Sequence, residues 1–190
     1  MAKVSAVAQG RTSAVAVRIG LVVGASLFVA VCARLSIPLP FTPVPLTLAN
    51  FAVLAVGLAL GSRAGCAALV LYLVEGAAGM PVFSPAEPGG LAQLLGPTGG
   101  YLIAYPAAAF VAGWIAERAP QKFATAWLAA FSANVVIFAG GISWLALVTH
   151  ASLRQAAIFG VYPFVFAEVA KMTAAAGLGR TQVIRRLTDR

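Results

Sequence analysis

Hydrophobic residues in this chain run in long unbroken stretches, separated by short segments that hold the charges. The gaps between charges mark apolar segments at about 18–34, 47–61, 64–79, 99–116, 123–148 and 156–177. A bilayer-crossing helix needs about 20 residues. The second and third segments are shorter and are joined only by Gly61, Ser62 and Arg63. Continuous rather than alternating apolar runs argue for helices and against a membrane barrel. The pattern predicts an all-α integral membrane protein, with residues 1–190 as a single transmembrane domain of six helices. Its outer loops fall at about 35–46 and 77–98.

Composition agrees. Of 190 residues, 61% are hydrophobic and 9% are charged, against roughly 45–50% and 25% in soluble domains. Mean hydropathy is +0.94. A soluble domain, a disordered chain and a nucleic-acid-binding protein are excluded, the net charge of +8 notwithstanding. Six spans would take up roughly 120 residues, which leaves no room for a soluble ATPase or kinase domain.

The basic residues predict orientation. With the N-terminus inside, the inner segments hold Lys3, Arg11, Arg18, Arg63, Arg118, Lys122, Arg180, Arg185, Arg186 and Arg190, whereas the outer loops hold only Arg34 and Arg154. This bias places both termini in the cytoplasm, and the inner charges suit anionic headgroups of the lipid bilayer. Val31-Cys32-Ala33 loosely resembles a signal-peptide cleavage site, but with five hydrophobic segments downstream the stretch reads as the first span. Cys32 and Cys66 fall near opposite membrane faces in this topology and read as packing residues.

Three features stand out from this background. From Ser36 to Thr47, four prolines in eight residues forbid a helix, yet the segment carries no charge. Apolar non-helical backbone at membrane depth must be covered by protein or line a cavity, so the segment is either a loop folded over a pocket or a stiff connector. From Gly76 to Gly100 runs a second long connection, rich in glycine; such loops tend to be lids or binding loops. The third feature is Glu168 and Lys171 in the last span. Each costs roughly 2.5–3.5 kcal/mol at a helix centre, and three residues apart they share a helix face. They read either as an internal ion pair or as a site for a polar or anionic ligand group. Asn50, Tyr72, Tyr101, Ser132 and Asn134 are further polar residues in apolar surroundings, where bonding between helices is the common use. Gly20/Gly24 and Gly57/Gly61 have the spacing of close helix contacts.

Catalytic chemistry is missing. No G-x-x-x-x-G-K-[ST] phosphate loop occurs, so the chain cannot drive transport by its own ATP hydrolysis. One histidine, His150, without a cysteine cluster or H-E-x-x-H, argues against zinc. Ser143 lacks a G-x-S-x-G elbow, and acidic residues are too few for a metal-dependent lipid enzyme. No catalytic residue, metal ligand or cofactor is expected.

Val44-Pro45-Leu46-Thr47-Leu48, Tyr72-Leu73, Gly76, Gly79-Met80-Pro81-Val82-Phe83, Gly96-Pro97-Thr98-Gly99-Gly100-Tyr101-Leu102 and Glu168-x-x-Lys171 together resemble the BioY family. BioY proteins are the biotin-binding S components of energy-coupling factor (ECF) transporters, and the resemblance spans about residues 20–175. It implies an ECF S-component bundle in a bacterial or archaeal plasma membrane, binding biotin from outside with high affinity. ATP would be hydrolysed by two partner ATPases working with a transmembrane coupling (T) subunit, although some BioY proteins are thought to act alone or as homo-oligomers. The family's Asp-x-x-Lys pair is here Glu168 and Lys171, and Ala49 stands where the family often has glutamine. Substrate-binding candidates are Glu168, Lys171, Tyr101, Asn50, Thr47, Phe41 and Phe83. Lys171 suits the biotin carboxylate, Asn50, Thr47 and Tyr101 the ureido ring, and Phe41 and Phe83 the apolar part. Alternatives are an S component for another vitamin, a membrane-embedded lipid enzyme, or a scaffold protein.

Overall fold

A computed structural model describes residues 2–120 and 122–178, with side chains of the first helix from Val15 onward. Of the expected inner charges, the side chains of Lys3 and Arg11, together with Arg180, Arg185, Arg186 and Arg190, lie outside the described residues.

The chain runs through α1 (Ala2–Arg34), β1 (Ser36–Ile37), β2 (Leu46–Thr47), α2 (Ala49–Ala77), α3 (Gly90–Leu95), α4 (Gly99–Arg118), α5 (Phe123–Thr149), α6 (Leu153–Gly160) and α7 (Val165–Leu178), with a 3₁₀ turn at Tyr162–Phe164 between the last two. Five helical stretches among the described residues are long and apolar enough to cross a membrane. The apolar residues on their outer faces, such as Ile19, Val31, Val135 and Phe166, are exposed, as expected where lipid rather than protein covers them.

The segments read at 47–61 and 64–79 both lie within α2, which breaks at Gly61. Gly61 sits at φ 80°, ψ −179°, backbone that a residue with a Cβ rarely adopts. After the break the chain folds back: a Cβ on Gly65 would stand 3.2 Å from Gly57 Cα. The Glu117 carboxylate, at the end of α4, closes the joint, accepting hydrogen bonds from the Ser62 backbone N–H at 2.6 Å and from the Ser62 hydroxyl at 3.0 Å. The freed amide at the restart of the helix is thereby satisfied within the protein, as a low-dielectric setting requires.

This hairpin is the centre of the bundle: 61% of its most apolar window is buried, against 22% for α1 and 28% for α5. Gly57 packs on the Ala109 backbone of α4, where an added Cβ would meet the carbonyl at 2.6 Å. Gly20 and Gly24, by contrast, have nothing within 4 Å, so among the described residues that pair makes no close helix contact. Cys32 is buried, Cys66 is half-buried, and neither is bridged.

Asn50 and Tyr72 each lie eleven residues from Gly61, about 16 Å along a helix. They therefore return to the same end of the hairpin, away from Arg63, Glu117 and Arg118. The proline-rich segment and the long 78–98 connection close this end.

Candidate functional site

α7 begins only after the chain has stalled at Pro163. The expected last helix is interrupted there, with α6 ending at Gly160 and a 3₁₀ turn over Tyr162–Phe164 preceding Val165. The restart puts Glu168 in the first turn of α7, where a carboxylate suits the positive end of the helix dipole. Lys171, one turn on, donates to Glu168 Oε1 at 2.7 Å; the two side chains are 9% and 4% exposed. A buried pair at this distance is neutral as a unit. The second carboxylate oxygen, Glu168 Oε2, is buried without a hydrogen-bond partner.

Glu168 belongs to the wall of a cavity with about 560 Å³ of space between atoms, a figure that includes open solvent. Every part of the bundle contributes to the wall. Ala33 comes from α1, Asn50 and Tyr72 from the two legs of α2, and Tyr101 and Tyr105 from α4; Phe138 comes from α5, Gly160 from α6, and Glu168 and Lys171 from α7.

Both irregular connections take part. Ser36 pairs with Thr47 and Ile37 with Leu46 in a two-stranded antiparallel ladder, which closes the proline-rich segment into a loop. The Thr42 hydroxyl anchors that loop by donating to the Phe159 carbonyl at 2.7 Å. Val44, Pro45 and Thr47 then face the cavity, so the segment folds over a pocket rather than merely bridging two helices. The long connection supplies Ser84, Gln93 and Thr98.

The G-P-T-G-G-Y run has a packing logic. A Cβ on Gly100 would stand 2.5 Å from the Gly140 carbonyl of α5, and the Trp144 indole N–H donates to the Gly96 carbonyl at 2.9 Å. The start of α4 thus lies flush on α5, which delivers Tyr101 to the cavity. Its hydroxyl donates to the Gly160 carbonyl at 3.0 Å, satisfying a carbonyl at the broken end of α6. One turn on, the Tyr105 hydroxyl donates to Asn50 Oδ1 at 2.9 Å. Thr47 Oγ, just ahead of the first leg of α2, accepts the Ala49 amide at 3.3 Å.

Glu168, Lys171, Tyr101, Asn50 and Thr47 therefore stand on one wall system. Phe41 and Phe83 do not. Phe41 is exposed at a separate groove beside Thr149 and His150. Phe83 is buried behind the wall, its ring filling the notch left by Gly76 and meeting Tyr72 edge-on at 5.2 Å between centroids. The apolar surface inside the cavity comes instead from Val44, Leu102, Phe138 and Phe164.

Sequence reasoning did not assign Tyr72, Gln93 and Tyr105 to the site. Tyr105 carried a signal, since it lies four residues after Tyr101 on the same helix face. Tyr72 and Gln93 matter chemically: the Tyr72 hydroxyl and Gln93 Oε1 are buried without partners, like Glu168 Oε2. Buried polar atoms are normally paired, so three such atoms on residues that line one cavity point to the ligand that would complete them. It brings donors for two oxygens and an acceptor for a hydroxyl. Among the described residues no cluster of His, Cys, Asp or Glu could hold a metal.

The BioY family profile matches residues 5–189. The biotin transporter BioY of Thermotoga maritima is 39% identical over 140 residues, covering 74% of this chain and 81% of that protein. The biotin transporter BioY of Rhizobium etli is 34% identical over 171 residues, covering 84% and 90%. The fold matches a crystal structure of the S-component for biotin from an ECF-type ABC transporter, with a TM-score of 0.79 over 91% of each chain at 23% identity. These relatives are transporters rather than enzymes, and this chain belongs to the BioY family.

Proposed function

We propose that this chain binds biotin in the cavity between α2, α4 and α7 and serves as the substrate-binding S component of an ECF-type transporter in the cell membrane. The observation that carries the reading is the set of unpartnered buried atoms, Glu168 Oε2, Gln93 Oε1 and the Tyr72 hydroxyl. A ureido ring has two N–H donors and one carbonyl, the complement of two acceptor oxygens and one hydroxyl donor. The fused ring is otherwise apolar, and so are Leu102, Phe138 and Phe164 around it. The relatives named as biotin transporters support the same ligand.

In this reading the Glu168–Lys171 pair fixes the carboxylate so that Oε2 points at a ring N–H. Asn50, Thr47 and Tyr101 hold the frame around the ring, since each is already engaged in a protein hydrogen bond. Ligand arrives from the outer face, beneath the proline-rich loop, with both termini in the cytoplasm. ATP is hydrolysed by partner ATPases coupled through a transmembrane T subunit.

Mass spectrometry of the protein purified from biotin-fed cells tests the ligand, with co-purifying biotin expected. Uptake of labelled biotin in cells with and without coupling and ATPase subunits tests the partnership. Accumulation without them would instead mark a chain that transports alone or as a homo-oligomer.

A further inference from the structure

The Glu168–Lys171 pair leaves a question about an acidic ligand. Among the described residues Lys171 is the sole cationic side chain on the cavity wall, and at 2.7 Å from Glu168 its charge is already matched. A carboxylate placed against this pair would face an existing buried carboxylate, which is unfavourable in a low-dielectric site. Its counter-charge must come from elsewhere.

A second cleft abuts the first. It lies between the outer end of α1 and the 79–90 stretch of the long connection, and Arg34, Pro81, Ser84 and Glu87 are on its wall. Ser84 belongs to both walls, and Ala33, next to Arg34 in sequence, belongs to the cavity. The two spaces therefore meet along Ala33–Arg34 and Ser84. Arg34 is exposed and donates from Nη1 to the Pro81 carbonyl at 3.3 Å, a single contact for a group with five N–H donors. Among the described residues it makes no ion pair. Glu87 in the same cleft accepts from Thr98 Oγ at 2.6 Å and, among the described residues, makes no ion pair with Arg34.

We infer that this cleft is a carboxylate subsite, in which Arg34 holds the acidic tail of a ligand whose ring occupies the neighbouring cavity. The inference rests on the biotin reading and extends it. The ring is buried among α2, α4 and α7, and the flexible tail leaves past Ser84 toward the outer surface. Arg34 then both recruits the anion and sets the preference for an acid over its neutral derivatives. Its guanidinium fork suits bidentate contact with a carboxylate. A purely structural Arg34, a cation at the C-terminal end of α1, would not distinguish ligands by charge.

The test titrates biotin and neutral biotin amide into the purified full-length protein and its Arg34→Ala, Arg34→Gln and Arg34→Lys variants. Wild type is expected to prefer biotin, and the preference should shrink as salt rises. Arg34→Ala and Arg34→Gln should lose about tenfold in biotin affinity, the scale of one charged hydrogen bond, with little change for the amide; Arg34→Lys should retain part of the preference. Equal losses for both ligands, or no loss, would overturn the inference while leaving the biotin reading intact. A selective loss of biotin over its amide in the Glu168→Gln/Lys171→Met double variant would also overturn it, by placing the carboxylate at Lys171. Wild type that binds neither ligand would overturn the biotin reading, and the inference with it.

Discussion

Lys171 and Glu168 lie one helical turn apart in α7, joined at 2.7 Å and nearly closed to solvent, with the second carboxylate oxygen buried and unpaired. The pair is thus structural on one side and available to a ligand on the other, and the two roles separate by mutation. Lys171→Met leaves an uncompensated buried carboxylate and should lower stability by about 3 kcal/mol. Adding Glu168→Gln removes that charge and should recover most of the loss in thermal unfolding in detergent. Biotin binding should not recover with it. Recovery of both would mean that the pair has no part in binding.

Tyr72 gives the opposite sign. Its hydroxyl is buried without a protein partner, so Tyr72→Phe removes an unsatisfied polar group while keeping the ring against Phe83 and Tyr105. The ligand-free protein should be as stable as wild type or more so, while biotin affinity should fall about tenfold for the lost hydrogen bond. Unfolding midpoints with and without biotin measure both effects. An unchanged affinity would remove Tyr72 from the site.

The joint between α4 and α5 depends on Gly100. An alanine there would crowd the Gly140 carbonyl and Trp144, an overpacking expected to cost about 1–3 kcal/mol. The two helices should separate slightly and carry Tyr101 away from Gly160. Gly100→Ala should therefore lower the unfolding temperature and weaken biotin binding together, and Tyr101→Phe, which keeps the packing but removes the bond to the Gly160 carbonyl, should lower stability by about 1 kcal/mol and weaken binding with it.

Glu87 supplies a pH dependence. Burial raises its carboxyl pKa, the hydrogen bond from Thr98 opposing the shift. The folded state then binds the proton more tightly than the unfolded chain does. Its contribution to stability is present at acidic pH and is lost as pH rises from the ordinary carboxyl range through the raised value. Unfolding temperatures measured across that window should fall with pH in wild type and fall less in Glu87→Gln. Equal slopes in the two proteins would remove Glu87 as the source.

Much of the fold is legible in the sequence, for identifiable reasons. Lipid solvates every outward face, so helical spans appear as unbroken apolar runs and need no tertiary information. Charge is so scarce within them that Glu168 and Lys171 are conspicuous, and a spacing of three residues fixes their shared face. The loops were less legible. Neighbouring residues in an irregular segment point in different directions, and only the fold decides which one reaches a cavity. Phe83 turns away to fill the notch at Gly76, and it is Ser84, beside it, that lines the cavity. Gln93 reaches the wall because α3, a six-residue helix inside the long connection, presents it there. Phe41 sits at the tip of a loop whose tether, the Thr42–Phe159 bond, joins residues 117 positions apart in the chain.

Calorimetric titration of biotin into the purified wild-type protein, with thiamine as the control vitamin, tests the central claim most directly. The account predicts saturable binding of one biotin per chain and no binding of thiamine. Absence of biotin binding, or equal binding of both vitamins, would contradict it.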